Sequence, residues 1–164
     1  MIMNIAYLSI GSNIDNRVKN CIIALEELSS FLKVLEMSSF YETEPYGAGD
    51  QDDFVNCAVK VETSLKPEQL LESLLDIEKS MGRKTKGDKA PRIIDLDIIF
   101  YNDLIIDSDN LTIPHKLAHL RRFVLEPICE IDCQYTHPVL NKTISKLIEE
   151  LDDTLKVEKI GKYY

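Results

Sequence analysis

The sequence lacks any apolar run that could form a transmembrane helix, since no run approaches the roughly 20 residues that such a helix requires. The N-terminus also lacks the basic start, the apolar stretch and the small-residue cleavage site of a secretory signal. Internal repeats and low-complexity tracts are absent as well. We therefore expect a cytoplasmic protein without a membrane partner.

Positive charge is scarce. The chain carries 19 lysines and arginines against 28 aspartates and glutamates, which gives a formal net charge of -9 at pH 7. Nucleic-acid binding depends on clustered cations that release counterions from phosphates, so we expect no nucleic-acid partner. A small anionic substrate is still compatible with this composition where cations gather locally.

Cysteine is sparse, and no C-x-x-C motif occurs. The four cysteines are Cys21, Cys57, Cys129 and Cys133. We expect reduced thiols that pack as small apolar side chains. The spacings H-x3-H and C-x3-C leave open a zinc site with the ligands His115, His119, Cys129 and Cys133. Zinc is disfavoured because the apolar segment "FVLEPI" between the two pairs must pack in the core.

The composition is that of an ordinary globular chain: of 164 residues, 45% are hydrophobic and 29% are charged. We expect one domain over residues 1–164. Hydrophobic spacing predicts strands in "NIAYLSI" (4–10), "VLEMSSFYETEPY" (34–46), "FVNCAVKVET" (54–63), "APRIIDLDIIFY" (90–101) and, briefly, "NDLIIDSDNLTIP" (102–114). Helices are predicted after a cap at Asp15 or Asn16, from Pro67 to Gly82, over "LAHLRRFVLEPI" (117–128), and from about Lys142 to Leu151. The segment "GAGDQDD" (47–53) is predicted to be a loop.

The first two-thirds of the chain therefore has the order β-α-β-β-α-β. This order predicts a ferredoxin-like fold of the α+β class, with one mainly antiparallel sheet and helices on one side. The C-terminal third is expected to add helices and short strands. The order alone does not specify a function, because RNA binders, regulatory modules and polymerase palms share it.

Two aspartates, Asp95 and Asp97, interrupt the apolar strand. Because side chains alternate along a strand, both carboxylates project from one face, about 6.5–7 Å apart, while Leu96 projects from the other. Neighbouring carboxylates repel each other and lose hydration, unless a cation neutralises them or the face is open to water. A D-x-D motif by itself is most typical of the solvated face of an edge strand.

Cations flank this motif in the sequence. Arg92 lies just before it, and Arg83 follows the preceding helix and begins a lysine-rich loop. Carboxylates hold Mg²⁺ while phosphate oxygens and water complete its coordination, and arginines match the geometry of phosphate. This combination predicts a phosphoryl-transfer site. His115, Arg121 and Arg122 could reach the same polyphosphate, although each alone is more typical of a surface or capping residue.

Several motifs occur together in one order: "IGSN" (10–13), "SSFYETEPYG" (38–47), "DQDDFVNCAV" (50–59), "GR" (82–83) followed by "PRIIDLDI" (91–98), and "IPH" (113–115) with "RRFVLEP" (121–127). In this order and spacing the chain resembles the 6-hydroxymethyl-7,8-dihydropterin pyrophosphokinase family, from about Tyr7 to Ile131. The resemblance implies a folate-pathway enzyme that transfers the β,γ-diphosphate of ATP to the hydroxymethyl group of a reduced pterin and releases AMP.

The resemblance also implies roles for individual residues. Asp95 and Asp97 would hold two Mg²⁺ ions that bridge the ATP phosphates, and Arg83 and Arg92 would complete the catalytic set. The ATP-binding residues would be Glu78, Arg83, Arg92, Ile98, Thr112, His115 and Arg121. The pterin-binding residues would be Thr43, Glu44, Tyr46, Phe54, Asn56 and Phe123, in which the two phenylalanines stack on the ring and the asparagine binds its edge. A turn at residues 11–13 would bring the backbone close to the pocket.

The sequence departs from the family pattern in the loop of residues 83–92. Many members of the family have a second arginine and a Trp-Gly pair in this loop, where this chain has Thr85 and Lys89-Ala90. The lysines that keep positive charge there are Lys84, Lys86 and Lys89. We expect residues 84–90 to be mobile without ligand and to close when ATP binds.

Two other functions are open from the sequence. A nucleotidyltransferase with D-x-D on a polymerase-like palm shares the metal chemistry and the fold order, but it requires a basic primer groove. A non-catalytic ferredoxin-like module is the second alternative, either as a small-molecule sensor or as an RNA-recognition sheet. The RNA version requires stacked aromatic residues on the central strands, and a sensor has no use for aspartates flanked by arginines.

Overall fold

An antiparallel sheet organises the chain, for which the computed structural model describes residues 1–47 and 49–162. Its six strands within these residues are β1 (Asn4–Ser12), β2 (Lys33–Met37), β3 (Phe40–Thr43), β4 (Phe54–Thr63), β5 (Asp95–Tyr101) and β8 (Val157–Gly161). A two-stranded hairpin pairs β6 (Ile106–Asp107) with β7 (Thr112–Ile113). The helices are α1 (Arg17–Ser29), α2 (Pro67–Ser80), α3 (Arg122–Asp132) and α4 (Ile144–Glu149).

The strand order is β5-β1-β4-β3-β8, and β2 also pairs with β4. All of these pairs are antiparallel. The order β5-β1-β4-β3 is the arrangement that a β-α-β-β-α-β chain adopts in the ferredoxin-like fold, so this prediction is confirmed. In the described parts of the chain, β5 is an edge strand that pairs with β1 alone, and Asp95 and Asp97 lie opposite Gly11 and Ser9.

The sheet separates two apolar layers. On one face, Ala6, Leu8 and Ile10 of β1 are fully buried and belong to the same core as residues of α1 and α2. The alternate residue Tyr7 belongs to the second core, whose members from α3 and α4 are Val124, Leu125, Ile128, Ile144 and Leu147. The expectation of helices on one side therefore holds for α1 and α2 only, since α3 and α4 cover the other face.

Two predicted elements are divided. The strand predicted over residues 34–46 breaks between β2 and β3, where the Ser38 N–H donates to Ala58 O (2.9 Å) and the Ser38 hydroxyl accepts from Ala58 N (2.8 Å). The helix predicted over residues 117–128 is a short 3₁₀ turn, Ala118–Leu120, followed by α3, because Arg121 between them is extended (φ -124°, ψ 108°). Strand β8 is not predicted by the sequence pattern.

The turn predicted at residues 11–13 starts later than expected, since Gly11 and Ser12 still belong to β1. Helix α1 begins as predicted, because the side chain of Asn16 caps it by accepting from Lys19 N. Strand β4 has the predicted bounds. The predicted loop at 47–53 includes Ala48, which lies outside the described residues.

The cysteines behave in two ways. Cys21 and Cys57 are free and buried, as predicted. Cys129 and Cys133 form a disulfide, so the expectation of reduced thiols is wrong for this pair. They lie four residues apart at the end of α3, and this spacing brings two side chains to the same face of a helix. Half-cystine sulfurs are not thiolate ligands, so the zinc site that the spacing left open loses two of its four donors.

No helix in the described part of the chain is both long enough and apolar enough to span a membrane.

Candidate active site

A cavity of about 460 Å³ lies at the end of the sheet where β5 begins. Its walls come from β3, β4, β5, the loops on either side of the cavity mouth, and the segment that leads into α3. Of the residues predicted for the site, those that line the cavity are Thr43, Glu44, Tyr46, Phe54, Asn56, Arg83, Arg92, Asp95, Asp97, His115, Arg121 and Phe123. Residues from five separate parts of the sequence therefore share one cavity.

The two aspartates face the cavity because β5 is regular at this point. Leu96 and Ile98 are 1% and 5% exposed and belong to the core beneath α1 and α2. The side chains of Asp95 and Asp97 are 21% and 28% exposed and point to the opposite face. The alternation predicted from the sequence is present, but the acidic face is covered by cations rather than simply open to water.

The guanidinium of Arg83 is held by several hydrogen bonds that the sequence alone does not predict. The residue is 9% exposed and follows the end of α2. Its guanidinium donates to Thr85 O (2.7 Å), Ile94 O (3.0 Å), Glu78 Oε2 (3.1 Å) and Asp95 Oδ1 (2.7 Å). Although burial alone would lower the pKa of Arg83, the neighbouring carboxylates outweigh it and raise the pKa. Arg83 is therefore a permanent cation at the floor of the cavity.

Arg92 approaches the same carboxylate from the other side. Its Nε donates to Asp95 Oδ2 at 3.3 Å, and its guanidinium lies over the ring of Phe54, 4.8 Å from the centroid. Asn13 holds the backbone of Arg92, since the Arg92 N–H donates to Asn13 Oδ1 (2.8 Å) and the Asn13 N–H donates to Arg92 O (3.1 Å). The asparagine of the "GSN" motif thus positions a cation at the cavity.

The neighbouring cations lower the pKa of the Asp95 carboxyl. Burial raises the pKa of Asp95, but the charges of Lys86, Arg92 and Arg83 outweigh burial and hold that pKa well below its usual range. Asp95 is therefore ionised at neutral pH, as a metal-binding carboxylate must be.

The fit to a divalent metal rests on the donor set. Asp95 and Asp97 are two carboxylates on one face that already attract positive charge, since the Lys86 ammonium lies 3.2 Å and 3.3 Å from their Oδ1 atoms. In the described part of the chain, no group of three or more histidine, cysteine or acidic side chains could enclose a metal by itself. This fits Mg²⁺, which is usually held by one or two carboxylates together with phosphate oxygens and water.

His115 and Arg121 supply further polar groups. Burial lowers the pKa of His115 despite the neighbouring Asp97, so its imidazole is neutral at pH 7. Its Nδ1 accepts from Leu117 N at 3.2 Å, which leaves Nε2 as the protonated nitrogen. Burial also lowers the pKa of Arg121, and its Nε is the buried side-chain atom without a hydrogen-bond partner in the described residues. An acceptor from a ligand would satisfy it.

Aromatic rings and an amide form the other half of the cavity. The Arg121 guanidinium lies 5.2 Å from the ring centroid of Tyr46 and 5.7 Å from that of Phe123. Asn56 is 4% exposed, and its Nδ2 donates to Thr43 Oγ1 at 2.7 Å. The two flat guanidinium groups therefore cover phenylalanine rings where a flat heterocycle could stack instead.

Three predicted ATP-binding residues, Glu78, Ile98 and Thr112, do not line the cavity. Glu78 is 2% exposed and lies behind the aspartates, and Ile98 is 5% exposed within the core. Contacts of these three residues with ATP stay predictions. The lining residues that were not predicted as site residues are Lys86, Gly87, Asp88, Lys89 and Leu117, although Lys86 and Lys89 were named as cations of the loop. The density of lysines in the 84–90 loop was the available signal for the first four.

The model of one protein family matches residues 7–133 of this chain, and its description is 7,8-dihydro-6-hydroxymethylpterin-pyrophosphokinase. A protein of Aquifex aeolicus named 2-amino-4-hydroxy-6-hydroxymethyldihydropteridine pyrophosphokinase is 36% identical over 154 residues, which cover 94% of this chain and 95% of that protein. The folic acid synthesis protein fol1 of Pneumocystis carinii is 46% identical over 148 residues, 90% of this chain but only 20% of that protein.

Solved structures share the fold. A Plasmodium falciparum HPPK-DHPS structure superposes with a TM-score of 0.76 at 22% identity, over 91% of this chain and 43% of that one. A second HPPK-DHPS structure, described as in complex with substrates, gives a TM-score of 0.73 at 18% identity over 90% of this chain and 43% of that one. This chain thus spans less than half of each of these longer proteins, and about a fifth of the Pneumocystis protein.

Proposed function

Because the chain belongs to the 7,8-dihydro-6-hydroxymethylpterin-pyrophosphokinase family, we propose that it transfers diphosphate from ATP to 6-hydroxymethyl-7,8-dihydropterin in folate biosynthesis. The hydroxymethyl oxygen forms a bond to the β-phosphorus of ATP and loses its proton. The bond between the β-phosphorus and the oxygen bridging to the α-phosphorus breaks, and AMP leaves with that oxygen. The cytoplasm is the location that we propose for this reaction.

Asp95 and Asp97 are the proposed ligands of two Mg²⁺ ions. When bound, such ions neutralise the phosphates and stabilise the attacking and leaving oxygens of an in-line displacement. The carboxylates contribute by staying ionised, and for Asp95 the surrounding cations favour that state. Both side chains are held on a regular strand whose other face is core, and this restricts their movement.

Arginines and a histidine are the proposed contacts of the triphosphate. Arg83 and Arg92 already bind opposite oxygens of Asp95, so both lie where phosphate charge would accumulate near the metals. Arg121 offers an unsatisfied Nε–H, and His115 offers Nε2–H as a neutral donor. A preorganised set of donors stabilises the transferred group without reorganisation at the moment of reaction.

The pterin is proposed to stack between Phe54 and Phe123, and Asn56 is proposed to bind its edge. Asn56 and Phe54 project from the same face of β4, two residues apart. Arg92 lies over the ring of Phe54 and Arg121 over that of Phe123. A pterin stacked on these rings would displace both guanidinium groups toward the proposed triphosphate site.

The observation that carries the proposal is that both halves share one cavity. The acid and cation cluster of β5 and the aromatic and amide cluster of β3, β4 and α3 line the same 460 Å³. A phosphoryl donor and a flat heterocyclic acceptor can therefore meet in it. A nucleotidyltransferase or an ATP sensor has no need for the second cluster.

The test is AMP release from ATP and Mg²⁺, measured with and without 6-hydroxymethyl-7,8-dihydropterin. We expect AMP in equal amount to pterin diphosphate, and none without the pterin. Asp97→Ala should reduce the rate by at least about 100-fold and leave the circular dichroism spectrum unchanged. ADP as product, pyrophosphate as product, or pterin-independent AMP would each contradict the proposal.

A further inference from the structure

Lys86 projects from the 84–90 loop into the acidic cluster of Glu78, Asp95 and Asp97 at the cavity wall. Its Nζ donates to Glu78 Oε2 (2.8 Å), Leu96 O (2.9 Å) and Asp95 Oδ1 (3.2 Å), and it lies 3.3 Å from Asp97 Oδ1. The three hydrogens of an ammonium group are thereby all used. Although burial alone would lower the pKa of Lys86, the three carboxylates outweigh burial and raise it. The side chain is a fixed cation in this state.

The Lys86 ammonium lies between the two carboxylates that would hold a metal. Asp95 and Asp97 are the carboxylates proposed to hold magnesium, and Lys86 contacts the Oδ1 atom of each. Both oxygens of Asp95 are occupied by cations, since Oδ1 also accepts from Arg83 and Oδ2 accepts from Arg92. A metal that binds the Oδ1 atoms of Asp95 and Asp97 together must displace a cation.

Lys86 is the cation that can leave. Arg83 has four acceptors in the described structure, is 6% exposed at its side chain, and lies three residues after the end of α2. Lys86 is 29% exposed at its side chain and precedes Gly87, whose φ of +90° is favourable for glycine alone. A glycine next to a partly exposed lysine would allow the ammonium to withdraw without disturbing the strand.

We propose that Lys86 is a resident counterion of the Asp95–Asp97 pair, and that it must leave these carboxylates when a divalent metal binds. Lys86 then determines the affinity for free metal and couples metal binding to release of the 84–90 loop. The coupling is reciprocal: the factor by which the docked lysine weakens metal binding equals the factor by which metal weakens docking. The inference rests on the proposed function for the identity of the cation, but not for the exchange itself.

The test compares Lys86→Met with Lys84→Met, which removes the same charge from the same loop at a side chain outside the cavity lining. Mn²⁺ binding is measured by electron paramagnetic resonance at pH 8, without nucleotide or pterin. We expect Lys86→Met to bind Mn²⁺ about tenfold more tightly than the wild type and Lys84→Met to change affinity by less than about twofold. The gain should disappear in the Lys86→Met/Asp97→Asn double variant.

The second readout is amide hydrogen exchange of residues 84–90. In the wild type, metal should accelerate exchange in this loop. In Lys86→Met the loop should exchange fast with and without metal. If Lys86→Met does not fold, Lys86→Gln and the wild-type exchange experiment decide the question.

Equal Mn²⁺ affinity in Lys86→Met and Lys84→Met, or wild-type exchange that metal leaves unchanged, would overturn the inference. Neither readout uses ATP, pterin or turnover. An active pyrophosphokinase with unaltered Mn²⁺ affinity in the variant would therefore refute this inference alone, whereas an inactive protein with the predicted exchange would refute only the proposed function.

Discussion

Gly11 controls the pterin side of the cavity at the scale of one residue. It lies directly opposite Asn56 in the β1–β4 ladder. A Cβ at this position would lie 2.3 Å from Asn56 Oδ1, which is far inside van der Waals contact. Asn56 in turn donates to Thr43, so it cannot rotate away without losing that hydrogen bond. The glycine therefore leaves room for the amide that is proposed to bind the pterin edge.

Gly11→Ala should impair pterin binding and leave ATP binding nearly unchanged. The added methyl group forces the Asn56 amide out of place, and the lost hydrogen bond corresponds to a rise in the pterin KM of about tenfold. Steady-state kinetics with each substrate varied in turn measures this split. Asn56→Ala should have a similar effect, and the double variant should add little to it. A normal pterin KM in Gly11→Ala would show that Asn56 does not bind the substrate.

At the scale of elements, the junction of α2 and β5 depends on Glu78. Its Oε2 accepts from Leu96 N (2.7 Å), Lys86 Nζ (2.8 Å) and Arg83 (3.1 Å). Burial raises the pKa of Glu78 even though both cations act in the opposite direction. One buried carboxylate thus ties the end of a helix, a loop and the strand that carries the aspartates.

Glu78→Gln should destabilise the protein and reduce turnover together. The amide keeps the shape of the side chain but removes the charge that Arg83 and Lys86 face, so we expect the free energy of unfolding to fall by about 1–3 kcal/mol. Urea denaturation measures the change. Glu72→Gln, an exposed position on the same helix, is the matched control and should change the stability by less than about 0.5 kcal/mol. Equal stability of the two variants would contradict this role of Glu78.

The order of strands and helices could be predicted from the sequence because the hydrophobic residues of most elements recur at a regular spacing. For example, the alternation of acidic and apolar residues predicts β5, and the regularly spaced leucines predict α2. The division at Ser38 was not accessible, since it depends on a serine hydroxyl that replaces a backbone acceptor across the sheet. Strand β8 was not accessible either, because "VEKIG" has few apolar residues and its pairing with β3 depends on contacts distant in sequence.

The sequence predicted individual side chains of the site but not the contacts between them. Composition and spacing indicated the proposed metal-binding carboxylates and the nearby arginines, and the family resemblance indicated the aromatic side chains. The proposed counterion role of Lys86 could not be inferred from the sequence, because nothing distinguishes it from the other two lysines of the loop. Its contacts with Glu78 and both aspartates arise only when the loop folds back onto β5.

At the scale of the whole molecule, the protein is acidic but its cavity is not. The chain has a net charge of -9. The cations that line the cavity are Arg83, Lys86, Lys89, Arg92 and Arg121, against the acidic lining residues Glu44, Asp88, Asp95 and Asp97. An acidic exterior with a cation-rich cavity favours a small anion over a long polyanion.

Ionic strength should therefore affect the two substrates differently. When KCl is raised from about 50 mM to about 500 mM, the Debye length falls by about threefold, and we expect the KM for MgATP to rise several-fold. The pterin has no net charge at neutral pH, so its KM should change by less than about twofold and serves as the internal control. Equal sensitivity of both KM values would contradict electrostatic recognition of the triphosphate in this cavity.

The most direct measurement is a crystal structure with Mn²⁺ and a non-hydrolysable ATP analogue, with anomalous diffraction to locate the metal. The predicted result is metal density in contact with carboxylate oxygens of Asp95 and Asp97, at about 2.1–2.3 Å, and bridged to the analogue's phosphates. Lys86 should have moved off both carboxylates. A triphosphate bound elsewhere, or metal density away from this pair of side chains, would contradict the account.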